Sequence, residues 1–94
     1  GPVLPQGLRP ADLLGTAFSD QTVLLNFSGQ LAALSENLDG DGEKRMIYAL
    51  VNTLCQLPGV KKARFYVQGR QPESLAGTVY LPGDFLPNPD LVAE

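Results

Sequence analysis

The chain has 94 residues, of which 44% are hydrophobic and 18% charged. This length fits one small domain, and the hydrophobic fraction excludes an intrinsically disordered chain. The net charge is −3, and the 7 lysines and arginines are scattered along the sequence. Because phosphate groups are bound by clustered basic residues, we expect no nucleic acid partner and no binding to an anionic membrane surface. No apolar run approaches the roughly 18 residues that a transmembrane helix needs, so we expect no transmembrane segment.

The residue inventory also argues against catalysis. The sequence has no histidine, the side chain that most often acts as general base or transition-metal ligand. It has one cysteine, Cys55, so neither an internal disulfide nor a cysteine-rich metal site can form. Cys55 lies in a predicted helix and is expected to be a small core residue. We therefore expect no enzyme activity and no cofactor.

Residues 1–10 contain three prolines and two glycines, which is typical of a linker or an irregular lead-in. The dipeptide Gly1-Pro2 is typical of what remains after a fusion tag is cleaved, so the natural chain is expected to begin elsewhere. Residues 11–94 then form one domain. No internal repeat divides it.

A β-hairpin is predicted next. Leu13 to Phe18 is a short apolar strand, and Ser19 to Gln21 is a turn of three residues. Thr22 to Phe27 is a second strand, rich in β-branched and apolar residues. Gln30 to Leu38 is a short helix, because its leucines recur three and four residues apart.

The main helix is predicted from Gly42 or Glu43 to Gln56, with Asp41 as its N-cap. Pro58 and Gly59 end it, since the residue before proline resists the helical conformation. One apolar face is expected to pack on the sheet, and it consists of Met46, Ile47, Leu50, Val51, Leu54 and Leu57.

The strand that follows covers Ala63 to Gln68 and alternates between apolar and polar residues, as a strand with one buried face does. A last strand is predicted within Ser74 to Leu81, centred on Thr78 to Tyr80. The proline-rich tail from Pro82 is expected to be extended and held by four apolar residues: Phe85, Leu86, Leu91 and Val92. The predicted fold is a small α+β domain. A three- or four-stranded mixed or antiparallel sheet carries the main helix and the short second helix on one face.

One local pattern has the spacing of a calcium-binding loop. Asn37, Asp39, Asp41 and Glu43 supply oxygen atoms at alternating positions, and Gly42 occupies the sharp turn. However, the twelfth position is Tyr48, where a calcium loop has a bidentate glutamate. A turn followed by a helix N-cap is the simpler interpretation, with weak calcium binding as the alternative.

A second candidate surface is basic and aromatic. Lys61, Lys62 and Arg64 open the strand after the main helix, and Tyr66 follows on the same face as Arg64. Exposed tyrosine and arginine are enriched in protein interfaces, so these four residues are candidates for contact with a protein or a glycan. A solvated surface, or a covered core face for the tyrosine, is the alternative.

Several motifs together resemble the GerMN domain, a module of bacterial sporulation and spore germination proteins. The similarity runs from about Leu13 to Leu81 and depends on the order and spacing of the motifs. The motifs are Val23 to Ser28, Gly42-Glu43, Asn52-Thr53-Leu54, Leu57-Pro58-Gly59-Val60, Val67-Gln68-Gly69 and Gly77.

The resemblance implies a non-enzymatic domain whose fold is similar to the ring-building motif of secretion and sporulation ring proteins. It also implies an extracytoplasmic location, with the full-length protein anchored as a lipoprotein. We therefore expect an interaction or assembly module of the cell envelope, acting through a protein partner or through self-assembly. A ligand-binding module for peptidoglycan fragments, or for calcium at the loop from Asn37 to Glu43, is the alternative.

Overall fold

A computed structural model describes residues 7–91. The chain contains three strands, two α-helices and two short 3-10 turns within this range. They follow in the order 3-10 turn Pro10–Asp12, β1 Leu13–Ser19, β2 Thr22–Phe27, α1 Gln30–Ser35, α2 Gly40–Leu54, β3 Lys62–Val67 and 3-10 turn Pro89–Leu91. Leu8, within the predicted lead-in, is buried in the core. The first six residues of the predicted lead-in lie outside the described residues.

The hairpin prediction is confirmed. β1 and β2 are antiparallel and are joined by Asp20 and Gln21, whose φ angles are +52° and +65°. Positive φ at both residues is the mark of a type I′ turn, whose twist matches that of two antiparallel strands. The turn is one residue shorter than predicted, because Ser19 still pairs with Thr22.

The sheet is mixed, with the strand order β1-β2-β3. β2 and β3 are parallel, and Leu25 lies beside Phe65 in their register. Because side chains alternate along a strand, Leu25 and Phe65 face the core while Leu24, Asn26, Arg64 and Tyr66 face the other way. We call this second side the open face. The alternation predicted for Ala63 to Gln68 is therefore confirmed.

Helix α2 covers the core face of the sheet. Its N-cap is Asp39, whose Oδ1 accepts the Gly42 N–H at 2.6 Å, so the predicted cap at Asp41 is wrong and the helix begins earlier than expected. The helix ends at Leu54, two residues before the predicted end, and Gly59 makes the following turn with φ +82°. The buried core combines residues from both layers and from the flanking segments: Leu8, Leu25, Phe27, Leu31, Met46, Ile47, Leu50, Val51, Ala63, Phe65, Leu75, Leu81 and Phe85.

The predicted fourth strand at Thr78 to Tyr80 is wrong. The chain there is irregular: Gly77 adopts φ +101°, and the Val79 N–H donates to a side chain instead of a neighbouring strand. Further along, Phe85 pairs with Ala63 as an isolated antiparallel bridge on the outer side of β3. We call residues 71–91 the C-terminal segment.

The tail is held differently from the prediction. Phe85 is buried and Leu91 is half-buried, but Leu86 is 63% exposed. Val92 lies outside the described residues. With three strands, one main helix and one short helix, the predicted α+β class is confirmed. Among residues 7–91, no helix is both long enough and apolar enough to cross a membrane.

Candidate interaction surface

Strand β1 is the most exposed element of the sheet. Six of its seven residues are exposed, and none of the seven carries a charge. Its inner side pairs with β2, and no segment of residues 7–91 pairs with its outer side. Soluble proteins usually protect such an edge with charge, proline, a β-bulge or a covering segment. Here a bulge between Leu13 and Gly15 is the one irregularity in the pairing with β2.

Two large apolar side chains of β1 are exposed. Leu14 is 54% exposed and Phe18 is 58% exposed. Phe18 pairs with Val23, so it projects on the same side of the sheet as α2, but beyond the helix. Its ring lies 3.9 Å from the position that a Cβ atom on Gly59 would occupy. The neighbouring Leu57 is 54% exposed, so this corner of the domain presents apolar surface to solvent.

The open face carries a shallow groove of about 320 Å³. It is lined by the small residues Gly15 and Ala17 of β1, by Leu24 and Asn26 of β2, and by Tyr66 of β3. Asn26 Oδ1 already accepts the Gly69 N–H at 2.7 Å. The predicted interaction residue Tyr66 is therefore half-buried on this face and is not part of the core.

Two of the predicted basic residues are engaged in ion pairs. Arg64 Nη2 lies 2.7 Å from Asp84 Oδ1, and Lys62 Nζ lies 3.8 Å from Asp84 Oδ2. The hydrogen bond from Arg64 to Asp84 raises the pKa of the guanidinium, with a smaller contribution from Tyr66. Lys61 is exposed just before β3. The structure thus brings Lys62, Arg64 and Tyr66 onto one face, and Asp84 completes a polar cluster that the sequence did not indicate.

The acidic loop does not gather its four candidate ligands. Asp39 caps α2, Asp41 is exposed, and the Asn37 amide donates to the Ala33 carbonyl at 3.3 Å. Within residues 7–91, no group of three or more acidic, histidine or cysteine side chains is arranged to hold a metal ion. The simpler interpretation, a turn with a helix cap, describes this geometry.

Glu43, a candidate calcium ligand in the sequence, instead binds the backbone of the C-terminal segment. It is 1% exposed, and its Oε2 accepts the Val79 N–H at 3.1 Å. The carboxylate therefore points inward and fixes the irregular part of the C-terminal segment. The sequence does not indicate this contact. An acidic residue in the first turn is already accounted for by its favourable interaction with the positive end of the helix dipole.

Asn52 holds the same segment further along. Its side-chain amide donates to the Asn88 carbonyl at 2.9 Å and accepts the Asn88 N–H at 2.7 Å. Asn52 lies in the last turn of α2, where asparagine is common, so its position in the sequence did not indicate this contact. Cys55, at the end of α2, is half-buried, and burial raises the pKa of its thiol.

The C-terminal segment also forms a tyrosine-lined cleft of about 450 Å³. Tyr48 and Tyr80 contribute aromatic rings, and Asp84 and Asn88 contribute polar groups. Tyr48 is fixed by an edge contact with Phe85, with ring centroids 5.7 Å apart, whereas Tyr80 is 69% exposed. The cleft therefore has one rigid and one accessible aromatic wall.

Comparisons with known proteins relate the chain to one family and to one solved structure. The family model described as "Germane: Sporulation and spore germination" matches residues 1–73. No curated protein matches the sequence. A crystal structure described as "Putative Lipoprotein from Clostridium perfringens" is similar, with a TM-score of 0.73 and 22% identity over 90% of this chain and 53% of its own. The chain thus spans about half the length of that protein, and at this identity the similarity shows the fold.

Proposed function

Because the chain belongs to the Germane family of sporulation and spore germination domains, we propose that it is a non-catalytic module that binds protein in the cell envelope. The location would be extracytoplasmic, with the longer protein anchored as a lipoprotein. The structural similarity to the Clostridium perfringens protein described as "Putative Lipoprotein" supports this location. The lack of any histidine supports a role without general acid–base catalysis.

The observation that carries the proposal is the outer edge of β1. The strand is uncharged and almost wholly exposed, and it displays Leu14 and Phe18. An exposed edge of this kind is a template onto which another strand can add, since its outward N–H and C=O groups have no strand partner among residues 7–91. Such an edge is a surface that an interaction module can use.

The test compares two matched substitutions in the full-length protein within its source organism. Ala17→Lys adds a charge to β1, and Ala76→Lys adds the same charge at an exposed position outside the sheet. We expect Ala17→Lys to lower sporulation or germination efficiency and Ala76→Lys to leave it unchanged. Equal behaviour of both variants at equal protein levels, or a cytosolic location on cell fractionation, would overturn the proposal.

A second candidate function, binding of peptidoglycan fragments, is favoured by the tyrosine-lined cleft. Its volume lies in the range of small-ligand sites, and tyrosine rings flanked by a carboxylate and an amide suit a sugar ring with its hydroxyl groups. Calorimetry with muropeptides tests it directly. Tyr80→Ala should abolish the heat of binding, while Tyr66→Ala, on the open face, should preserve it. No heat with the unaltered protein removes this candidate.

A further inference from the structure

We propose that the open face of the sheet is a docking surface for an acidic protein segment with an apolar side chain at its centre. In this complex the apolar side chain lies in the groove of the open face, and the flanking carboxylates meet the basic side chains of β3. The surface is separate from the outer edge of β1. From the proposed function, the inference takes only that the partner is a protein.

The first argument is the distribution of charge. Although basic residues occur along the whole sequence, four of the 7 belong to β3 or to the turns at its two ends: Lys61, Lys62, Arg64 and Arg70. No acidic residue occurs from position 60 to position 72. Because the whole chain has a net charge of −3, this region is a local excess of positive charge on an acidic protein. Such an excess attracts the carboxylates of a partner and directs their approach.

The second argument is that the two basic side chains of the open face remain available. Lys62 is 42% exposed and Arg64 is 37% exposed. Arg64 Nε donates to Asp84 Oδ1 at 2.8 Å, and Nη2 lies 2.7 Å from the same oxygen, so Asp84 engages at most two of the five N–H donors. Lys62 Nζ lies 3.8 Å from Asp84 Oδ2, beyond hydrogen-bond distance. One carboxylate therefore orients the two cations and leaves a net positive charge.

The third argument is the uncharged groove on the same face. In the register of the hairpin, Gly15 lies beside Asn26 and Ala17 beside Leu24, so β1 contributes only small groups to the open face at these positions. Tyr66 lines the groove from β3, and the volume is about 320 Å³. A concave site with aliphatic and aromatic lining suits an apolar side chain. A polyanion without side chains has nothing to place there, so the face favours a protein segment.

The fourth argument is the spacing between the groove and the charges. Ala17, Leu24 and Arg64 form one row across the three strands. Neighbouring strands are about 4.8 Å apart, so the row spans about 10 Å. An extended segment advances about 3.3 Å per residue. A segment that crosses the sheet therefore places a carboxylate over β3 two or three residues away from an apolar side chain in the groove.

The experiment is an NMR titration of the ¹⁵N-labelled chain with the acetylated peptide Glu-Glu-Glu-Leu-Glu-Glu-Glu. This peptide carries carboxylates two and three residues from its leucine in both directions. We expect amide shifts to change at Leu24, Arg64 and Tyr66, and binding to weaken as salt is added. Serine in place of leucine should weaken binding by about threefold or more, because apolar burial is lost. Lysine in place of every glutamate should cause no shift changes at these residues.

A pair of matched variants tests the charge contribution. Lys62→Gln removes one charge from the open face, and Lys44→Gln removes the same charge from an exposed position on α2. Lys62→Gln should raise the dissociation constant of the leucine peptide by about twofold to fivefold, as expected for one exposed charge pair. Lys44→Gln should leave it unchanged. Equal effects of the two variants would mean that the peptide responds to overall charge and does not dock on β3, which overturns the proposal.

Other results would also overturn the docking surface. They are an absence of shift changes at several millimolar leucine peptide, equal binding of the lysine peptide, and shift changes confined to α2 or the C-terminal segment. Inorganic polyphosphate that binds the open face more tightly than the leucine peptide would replace the protein segment by a polyanion. Self-association of the unaltered chain that Lys62→Gln weakens would identify a second copy as the occupant.

Failure of this proposal is distinguishable from failure of the proposed function. If the peptide does not bind but Ala17→Lys lowers sporulation or germination efficiency, the docking surface is rejected and the proposed function stands. If the peptide binds at the open face and Ala17→Lys has no effect in cells, the docking surface stands and the proposed function is rejected.

Discussion

The two edges of the sheet differ in whether another segment of residues 7–91 covers them. The outer side of β3 is occupied at one end by Phe85, which exchanges two backbone hydrogen bonds of 3.0 and 2.7 Å with Ala63. At its other end Val67 pairs with Arg70. The outer side of β1 meets no segment of residues 7–91, and its apolar side chains project into solvent. Within residues 7–91, one edge of the sheet is thus partly covered and the other is open.

The covered edge depends on contacts made at a distance. Glu43, Asn52 and Arg64 each hold a different part of the C-terminal segment, at Val79, Asn88 and Asp84. All three lie within the residues that the family model matches, whereas their partners lie beyond residue 73. The body of the domain therefore carries the groups that close β3. If these contacts are removed, the C-terminal segment should leave the outer side of β3, and the contrast between the two edges should disappear.

Phe85→Ala should have the largest effect. Phe85 is 7% exposed and packs edge-on against Phe65 at a centroid distance of 5.4 Å. Loss of a buried phenylalanine side chain lowers the free energy of unfolding by about 3–5 kcal/mol. Thermal and urea unfolding measure the loss. Leu86→Ala is the control, since Leu86 is 63% exposed and should change stability by no more than about 0.5 kcal/mol. Equal losses would mean that the segment does not anchor through Phe85.

Glu43→Ala should have the next largest effect. It empties the buried site of the Glu43 side chain and leaves the partly buried Val79 N–H without its acceptor, which costs about 1–3 kcal/mol in the free energy of unfolding. Glu43→Gln keeps an acceptor oxygen of similar shape and should lose less. Limited proteolysis should cut the C-terminal segment sooner in Glu43→Ala than in Asp41→Ala, the exposed neighbour. Unchanged cleavage would show that the carboxylate does not hold the segment.

Asn52→Ala should weaken the covered edge by a smaller amount. Two hydrogen bonds to Asn88 are lost, each with a net contribution of about 0.5–1.5 kcal/mol, but the partly buried backbone groups regain contact with water. Hydrogen exchange should accelerate at the Asn88 amide and remain unchanged in Gln56→Ala, an exposed position past the helix end. A protected Asn88 amide in Asn52→Ala would contradict this account.

The sequence predicts those parts of the fold in which the cause is local. β2 and β3 follow from alternation, the hairpin from adjacent apolar runs, and α2 from its apolar face. A strand is predicted near Val79 because the run Thr-Val-Tyr-Leu has high strand propensity. The strand does not form, since the Val79 N–H donates to Glu43, 36 residues away. Such a partner leaves no pattern in the neighbouring residues.

The candidate surface was predictable to a lesser extent. Alternation correctly placed Arg64 and Tyr66 on one face, but no local pattern indicates that Asp84 forms an ion pair with Arg64 from 20 residues away. The exposed edge was missed because Leu13 to Phe18 is as apolar as a buried strand. Its exposure follows from the strand order, which places β1 outermost and beyond the reach of α2. Strand order is a property of the whole chain.

Asp12 gives the smallest predicted effect and bears on how the open edge begins. Its carboxylate accepts the Arg9 N–H and the Ser28 hydroxyl, both at 2.9 Å, immediately before β1. These hydrogen bonds, the backbone one first, lower the pKa of Asp12 in the folded chain. Because the folded pKa is depressed, the stabilisation is present above the ordinary aspartate pKa of about 3.9 and is lost as pH falls through the folded value.

Asp12→Asn should therefore lower the melting temperature slightly near pH 7, and the difference from the unaltered protein should shrink as the pH drops below about 4. Asp20→Asn, in the exposed turn at the other end of β1, is the control and should show no such convergence. If the Asp12→Asn difference stays constant down to acidic pH, the ionised carboxylate is not what fixes the start of β1. The hydroxyl of Ser28 would then be the group to change next. Ser28→Ala removes one donor to Asp12 and leaves the Arg9 N–H in place, so it separates the two hydrogen bonds that hold the beginning of the open edge.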